Sequence, residues 1–285
     1  MSSKIDEKDI LFLTPTIGSI WLFYQQYLIK KQFPQSQKIL INGNHRWNFA
    51  LGQKCVWYDF IWEAIRHKTT HKYFVHIDED CFITNKQGII ECIERIEYLN
   101  ASLIGPTDNM YPIRGANPNA LNSFFMIGKI SDLETIWNNF DINLQFKDLN
   151  LRLSNVPTHE IETEPYYNFF WNYLLKSYKI EHISAGYFEK YNSTTLHLNN
   201  GEPFCHHMWY TRYWYRKMKF VTLTHRERYM ILKKDLDKTH QLNPFKLIKS
   251  ISILQYLPIL AELLFIKNVK RMFRILFTKT IIKQK

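Results

Sequence analysis

Residues 71–83 read HKYFVHIDEDCFI. Five mostly apolar residues, Tyr73 to Ile77, run directly into three carboxylates, Asp78, Glu79 and Asp80. A short apolar run of this kind, rich in aromatic and β-branched residues, reads as a buried strand. Three acids at its exit cost self-repulsion and desolvation unless something positive offsets them. One reading is a divalent cation carrying a diphosphate; the other is a polar turn. On an extended exit Asp78 and Asp80 point one way and Glu79 the other, so D-x-D aims two carboxylates at one point. Hard cations such as Mg²⁺ and Mn²⁺ take oxygen ligands and bridge carboxylates to substrate phosphates.

Working outward, ILFLTPTIG (10–18) reads as a first strand, the segment after it as a helix, and KILINGN (38–44) as a second strand. VWYDFIWEAIRH (56–67) precedes the acidic strand with helical spacing, and GIIECIERIEYL (88–99) follows it. ASLIGP (101–106) and NSFFMIGK (122–129) are further strands, SDLETIWNNF a helix, PYYNFFWNYLLKS (165–177) a helix opened by Pro165, and KIEHI a strand. Alternation of this kind predicts an α/β protein with a mostly parallel central sheet. Ligands of such sheets lie beyond the carboxyl ends of the strands, where TPT, NGN and DED all fall.

Composition narrows the chemistry. At 285 residues and 46% hydrophobic, the chain is long enough to bury a large core. It holds only nine glycines, with no GxGxxG and no GxxxxGK[ST], so a Rossmann dinucleotide site and a P-loop are both disfavoured. Cys55, Cys81, Cys92 and Cys205 are scattered, which suits a reducing compartment and argues against a thiolate zinc site. The opening MSSKIDEKDILFLTPT places acids ahead of a short apolar run, unlike a secretory signal, so a cytoplasmic location is expected.

In order and spacing, residues 10 to 210 resemble GT-A glycosyltransferases, family 2-like and non-processive. ILFLTPT looks like the opening nucleotide strand and KILING like the second. YFVHIDED looks like the DxD strand, LNSFFMIGK like the strand returning beneath the acceptor, and ETEPYYNFFWNYLLKSYKI like the acidic segment and helix that carry the base. The second position of the usual Glu-Asp pair is Glu164, and the Q/RxxRW signature of processive members is missing from the sequence. The resemblance implies a GT-A catalytic domain over 1–220, a nucleoside-diphosphate-sugar donor and a divalent metal, Mn²⁺ or Mg²⁺.

It implies Asp78 and Asp80 as metal ligands, completed by His206 or His207; being adjacent, these face opposite ways if extended, so at most one reaches the metal. Thr14, Pro15, Thr16 and Asn42 stand where base and ribose contacts are expected, with Glu79 beside them. Trp57 and Asp59 line the same pocket or, for Trp57, pack into the core. Arg212, with Arg216 four residues on, contacts the diphosphate or remains a surface charge. Glu164, with Glu162 as fallback, is the candidate base of an inverting transfer or else an electrostatic cap on the helix behind it.

The formal charge is +11, and Lys246 to Lys285 contributes most of it, with nine basic residues against Glu262. This segment forms the end of a helical basic extension over 221–285. Its apolar run SISILQYLPILAELLFI is broken by Gln255, Pro258 and Glu262, so an amphipathic helix on an anionic leaflet fits better than a spanning one. Packing between helices or subunits, and so a homo-oligomer, is the alternative. Nucleic acid is disfavoured because no binding motif accompanies the charge.

A lipid-linked, lipopolysaccharide or capsule-type acceptor on the cytoplasmic face of the inner membrane would account for such a tail. Lys, Ile and Asn usage suggests a bacterial source. Removing the chain after Asn243 is then expected to free the protein from vesicles without abolishing donor binding. Two other classes stay open. One is a haloacid-dehalogenase-like phosphohydrolase with Asp78 as nucleophile, although Phe82 stands where that family has Thr or Val. The other is a non-catalytic basic membrane adaptor.

Overall fold

The structure, a computed structural model, describes residues 5–19, 21–47, 54–108, 120–141, 144, 167–208 and 223–282. Along the chain these form β1 (Ile10–Thr16), α1 (Trp21–Gln32), β2 (Gln37–Asn42), α2 (Lys54–Arg66), β3 (Tyr73–Ile77), β4 (Cys81–Ile83), α3 (Gln87–Tyr98), β5 (Leu103–Gly105), β6 (Phe125–Lys129) and α4 (Ile130–Trp137). Then come α5 (Tyr167–Leu175), β7 (Ile180–His182), β8 (Ala185–Phe188), β9 (Ser193–His197), β10 (Pro203–His207), α6 (His225–His240), α7 (Pro244–Ile248) and α8 (Ile253–Ile282).

The central sheet has the order β2-β1-β3-β6-β5-β7. β1 pairs in parallel with β2 and β3, and β5 with β7, while β6 runs antiparallel between β3 and β5. It is a mostly parallel α/β sheet with one reversed strand. Side chains of successive strand residues alternate faces, and the two faces bury different cores. Leu11, Leu13 and Phe74 join Phe60 of α2 and Phe170 of α5 on one side. Ile10, Phe12, Val75 and Ile77 join Ile29 of α1 and Ile93 of α3 on the other. Burial on both faces is why these strands read as continuous apolar runs. Gly128 of β6 is forced by packing: a Cβ there would come within 2.6 Å of Phe74 Cζ.

A second sheet, β4-β10-β9-β8, is antiparallel throughout. It begins at the acidic turn, because β4 leaves that turn directly and pairs with β10, placing His207 opposite Cys81. The two sheets therefore meet at residues 78–80.

The C-terminal helices pack onto the sheet domain. Tyr229, Leu232 and Leu236 of α6 bury against Trp21, Tyr24 and Leu28 of α1 and Phe82 of β4. Each such side chain contributes about 1.5–3 kcal/mol when fully buried. α8 lies along β2 at the sheet edge, where Gln255 Oε1 accepts from Leu40 N at 3.1 Å and Asn44 Nδ2 donates to the Ile259 carbonyl at 3.1 Å. Covering an edge strand this way satisfies backbone groups that would otherwise invite another chain. Pro258 lies within α8 without ending it. Among the described residues no helix is long and apolar enough to cross a membrane.

Candidate metal and nucleotide site

β3 ends at Ile77 because the next three residues close a turn. Asp78 N donates to the Phe124 carbonyl at 2.9 Å, and Cys81 N donates back to the Asp78 carbonyl at 3.0 Å. The Asp80 carbonyl accepts from Met208 N at 3.0 Å, just past the end of β10. Gln25 of α1 reaches across and donates through Nε2 to the Asp78 carbonyl at 2.5 Å. The turn is thus held through its backbone groups, with Gln25 as a side-chain brace.

Asp78, Asp80 and His207 each offer one ligand atom, and these atoms lie within 4.8 Å of one another. His207 Nε2 is 3.3 Å from Asp80 Oδ1. The imidazole stacks on Phe124, with ring centroids 4.2 Å apart and planes 18° apart, which fixes its direction. Asp80 and His207 are buried and Asp78 is half-buried. Two hard oxygens and one imidazole nitrogen suit Mn²⁺ or Mg²⁺ with positions left for phosphate oxygens. The donor set therefore fits the divalent cation.

His206 lies outside that cluster. It occupies the other face of β10, where its Nδ1 sits 3.1 Å from Thr195 Oγ1 and its ring packs against Phe188 and Tyr191. Burial lowers its pKa to about 4. Strand alternation is the physical reason that only one of the two histidines meets the acids.

Glu79 turns away from the ligand cluster as the alternation required. Its Oε2 accepts from the Thr16 hydroxyl and from the backbone N–H groups of Ile17 and Ser19, both at 3.3 Å. Burial pushes its carboxyl above the usual range, and the Thr16 hydrogen bond pulls it partly back. Thr14 is buried and accepts from Gln26 Nε2 at 3.2 Å, facing α1, with Pro15 half-buried between the two threonines.

Asn42, at the end of β2, donates to Glu262 of α8, lies 3.1 Å from His45 Nε2 and accepts from Asn44 N at 3.0 Å. Asp59 pairs with His45 Nδ1. Trp57 stacks on His76 at 5.2 Å and tilts against Phe169, a packing position. The strand ends thus bring Thr16, Glu79, Asp78 and Asp80 together, with Asn42, His45, Asp59 and Glu262 forming a neighbouring polar group. Glu162, Glu164, Arg212 and Arg216 lie outside the described residues.

Several participants carried no local signal. Glu262 and Tyr256 come from α8, more than 200 residues away in sequence from their partners Asn42 and Gly18. His225, the first residue of α6, is buried, and its Nδ1 accepts from Arg228 Nη1 at 3.0 Å. Burial and the Arg228 charge hold its pKa at about 4, against a pull from Asp80. Asp108 had a readable signal, being an acid just beyond a central strand. It is fully buried, accepting from Asn122 Nδ2 and the Tyr167 hydroxyl, both at 2.5 Å.

No protein-family model and no curated protein matches the chain. Among solved structures it is similar to A197 from STIV, at 12% identity and a TM-score of 0.37 over 68% of this chain and 92% of that one. It is also similar to a mannosyltransferase from Pyrobaculum calidifontis in complex with GDP-Man and Mn²⁺, at 11% identity and a TM-score of 0.33. That match covers 45% of this chain and 46% of the other, about half of each. A third is a glycosyltransferase involved in the glycosylation of the major capsid of PBCV-1, at 16% identity and a TM-score of 0.34, covering 55% and 83%. Similarities this distant carry no function by themselves. The chain is an α/β protein with distant likeness to solved glycosyltransferases and an Asp-Asp-His cluster where two sheets meet.

Proposed function

We propose that this protein is a metal-dependent glycosyltransferase that moves a sugar from a nucleoside-diphosphate donor to a glycan acceptor. One observation carries the reading: Asp78 and Asp80, in the turn joining the two sheets, and His207 of β10 converge within 4.8 Å beyond the end of a central strand. A divalent cation held there would neutralise the diphosphate as it leaves. Asp78 and Asp80 would hold it from the turn and His207 from β10. Thr16 and Asn42, at the ends of β1 and β2, and the loop after β1 would receive the nucleoside.

The remaining assignments belong to the same proposal. Glu164, or Glu162, lies just before α5 in sequence and is proposed as the base of an inverting transfer; Arg212 is proposed as a diphosphate contact. The acceptor is proposed to be lipid-linked, lipopolysaccharide or capsule-type, with the protein peripheral on the cytoplasmic face of a bacterial inner membrane. What supports the membrane contact is the outer side of α7 and α8. Phe245, Ile248, Leu254, Leu257, Leu264 and Phe265 are exposed there, in a segment of strongly basic sequence. The phosphohydrolase reading gains nothing, since Phe82, where that chemistry has Thr or Val, is buried against Trp21.

The test is a panel of nucleotide sugars screened by thermal shift with and without Mn²⁺. A specific donor at one hundred times its Kd adds about 2.7 kcal/mol of stability. The proposal expects a donor that stabilises only with the metal, and loss of that effect in Asp80→Ala. Equal stabilisation without metal, or phosphate release from simple phosphoesters, would overturn it.

A further inference from the structure

The segment joining β1 to α1 is gripped from two sides. From within, a single oxygen of Glu79 accepts the Thr16 hydroxyl and the N–H groups of Ile17 and Ser19. Thr16 Oγ1 in turn accepts from Gly18 N at 2.9 Å, so the segment folds over its own hydroxyl. Gly18 has φ +81°, a conformation that side-chain-bearing residues rarely adopt. From outside, Tyr256 of α8 directs its hydroxyl at the Gly18 carbonyl, 3.4 Å away. Leu260, Leu263 and the Tyr256 ring all lie within 3.9 Å of where a Gly18 Cβ would stand, so they roof this turn. The Tyr256 ring is braced edge-on by Phe23 of α1 at 5.2 Å.

A third acid beside two metal-binding ones is costly unless it has a separate partner set. Glu79 has one, and its partners all lie in the 16–19 segment, which the proposed function assigns to the nucleoside. We propose that Glu79 is a positioning residue that moulds the 16–19 segment, and that Tyr256 of the C-terminal helix completes this mould. Its service to the donor rests on the glycosyltransferase reading above; the mould itself does not. The middle acid of the DED turn then links the metal ligands to the nucleoside seat. α8 has two faces with separate duties, the inner one belonging to the donor site.

The experiment uses the full chain and three readouts. These are amide hydrogen exchange at residues 17–19 without nucleotide, Mn²⁺ affinity alone, and affinity for UDP and GDP with Mn²⁺. Glu79→Ala should speed exchange at Ile17 and Ser19 by about tenfold or more, since those protons lose their acceptor. Nucleotide affinity should fall by about tenfold while Mn²⁺ affinity stays within about twofold. Glu79→Gln keeps an acceptor oxygen and should restore most of both effects, which a generally unfolded variant could not do. Tyr256→Ala should reproduce the exchange change, and the double variant should be far less than additive.

Unmoved exchange in Glu79→Ala, or Mn²⁺ affinity falling in step with nucleotide affinity, would overturn the inference. A wild-type protein that binds Mn²⁺ but neither nucleotide would instead overturn the proposed function, with exchange still deciding the mould.

Discussion

At the scale of single residues, the two adjacent histidines separate a candidate ligand from a packing residue. His207→Ala removes a nitrogen from the Asp78–Asp80 cluster and should weaken Mn²⁺ binding by about 10–100-fold, read by titration calorimetry. His206→Ala removes a ring packed between Phe188 and Tyr191, so it should cost about 1–3 kcal/mol of stability and leave Mn²⁺ affinity nearly unchanged. Reversal of that pattern would reassign the metal site. His76 gives a pH signature. Its ring is buried between Trp57 and Phe60, and burial lowers its pKa to about 3. The unfolded chain therefore takes up a proton near pH 6.5 that the folded chain refuses. Stability is complete above that pH and is lost as pH falls toward the folded value, at up to about 1.4 kcal/mol per unit. His182, also held low by burial, acts with the same sign. Urea midpoints in EDTA should fall between pH 7 and 5, and His76→Leu should flatten the slope.

At the scale of elements, α6 is tied down at its first turn. Thr224 Oγ1 accepts from Glu227 N at 3.2 Å and Glu227 Oε2 accepts from Thr224 N at 2.6 Å, a reciprocal capping box. Thr224→Ala should cost about 1 kcal/mol, lowering Tm by about 2–4 °C. Arg228, one turn further, is buried and donates to the carbonyls of Tyr191 and Asn192 at 3.0 and 2.5 Å. It ties α6 to the turn between β8 and β9, so Arg228→Ala should cost several times more, leaving a buried and a half-buried carbonyl without this donor. Equal losses in the two variants would mean that the helix is held by its apolar face alone. Gly88 in α3 makes a comparable point for packing. A Cβ there would run into the ring of Phe204 on β10, so Gly88→Ala should destabilise by about 1–3 kcal/mol and push apart α3 and the second sheet.

For the whole molecule, the contacts of α8 change what its removal should do. Cutting after Asn243 takes away Tyr256, Ile259 and Glu262, which hold Gly18, Asn44 and Asn42. Truncation should therefore weaken nucleotide binding, without abolishing it, as well as release the protein from anionic vesicles. Leu254→Asp with Leu257→Asp alters only the exposed side and should lower vesicle binding alone, most visibly at high salt where basic residues contribute least. Vesicle sedimentation and UDP or GDP titration on the same preparations separate the two faces. Intact vesicle binding in the double variant would exclude the outer side of α8 as the docking surface.

The sequence alone determined the succession of strands and helices along the central domain, because β1 and β3 are buried on both faces and are therefore mostly apolar. It also determined the D-x-D acids and the limit of one histidine, since both follow from period-2 alternation that needs no tertiary knowledge. Only the tertiary structure decided which histidine, because that depends on the register of β10 against β4. The reversal of β6, the sheet β4-β10-β9-β8, the partners of Glu79 and the contacts of α8 with β2 and the turn after β1 were decided there too. Each rests on contacts between residues far apart in the chain, such as Asn42 with Glu262, and local propensity holds no record of those.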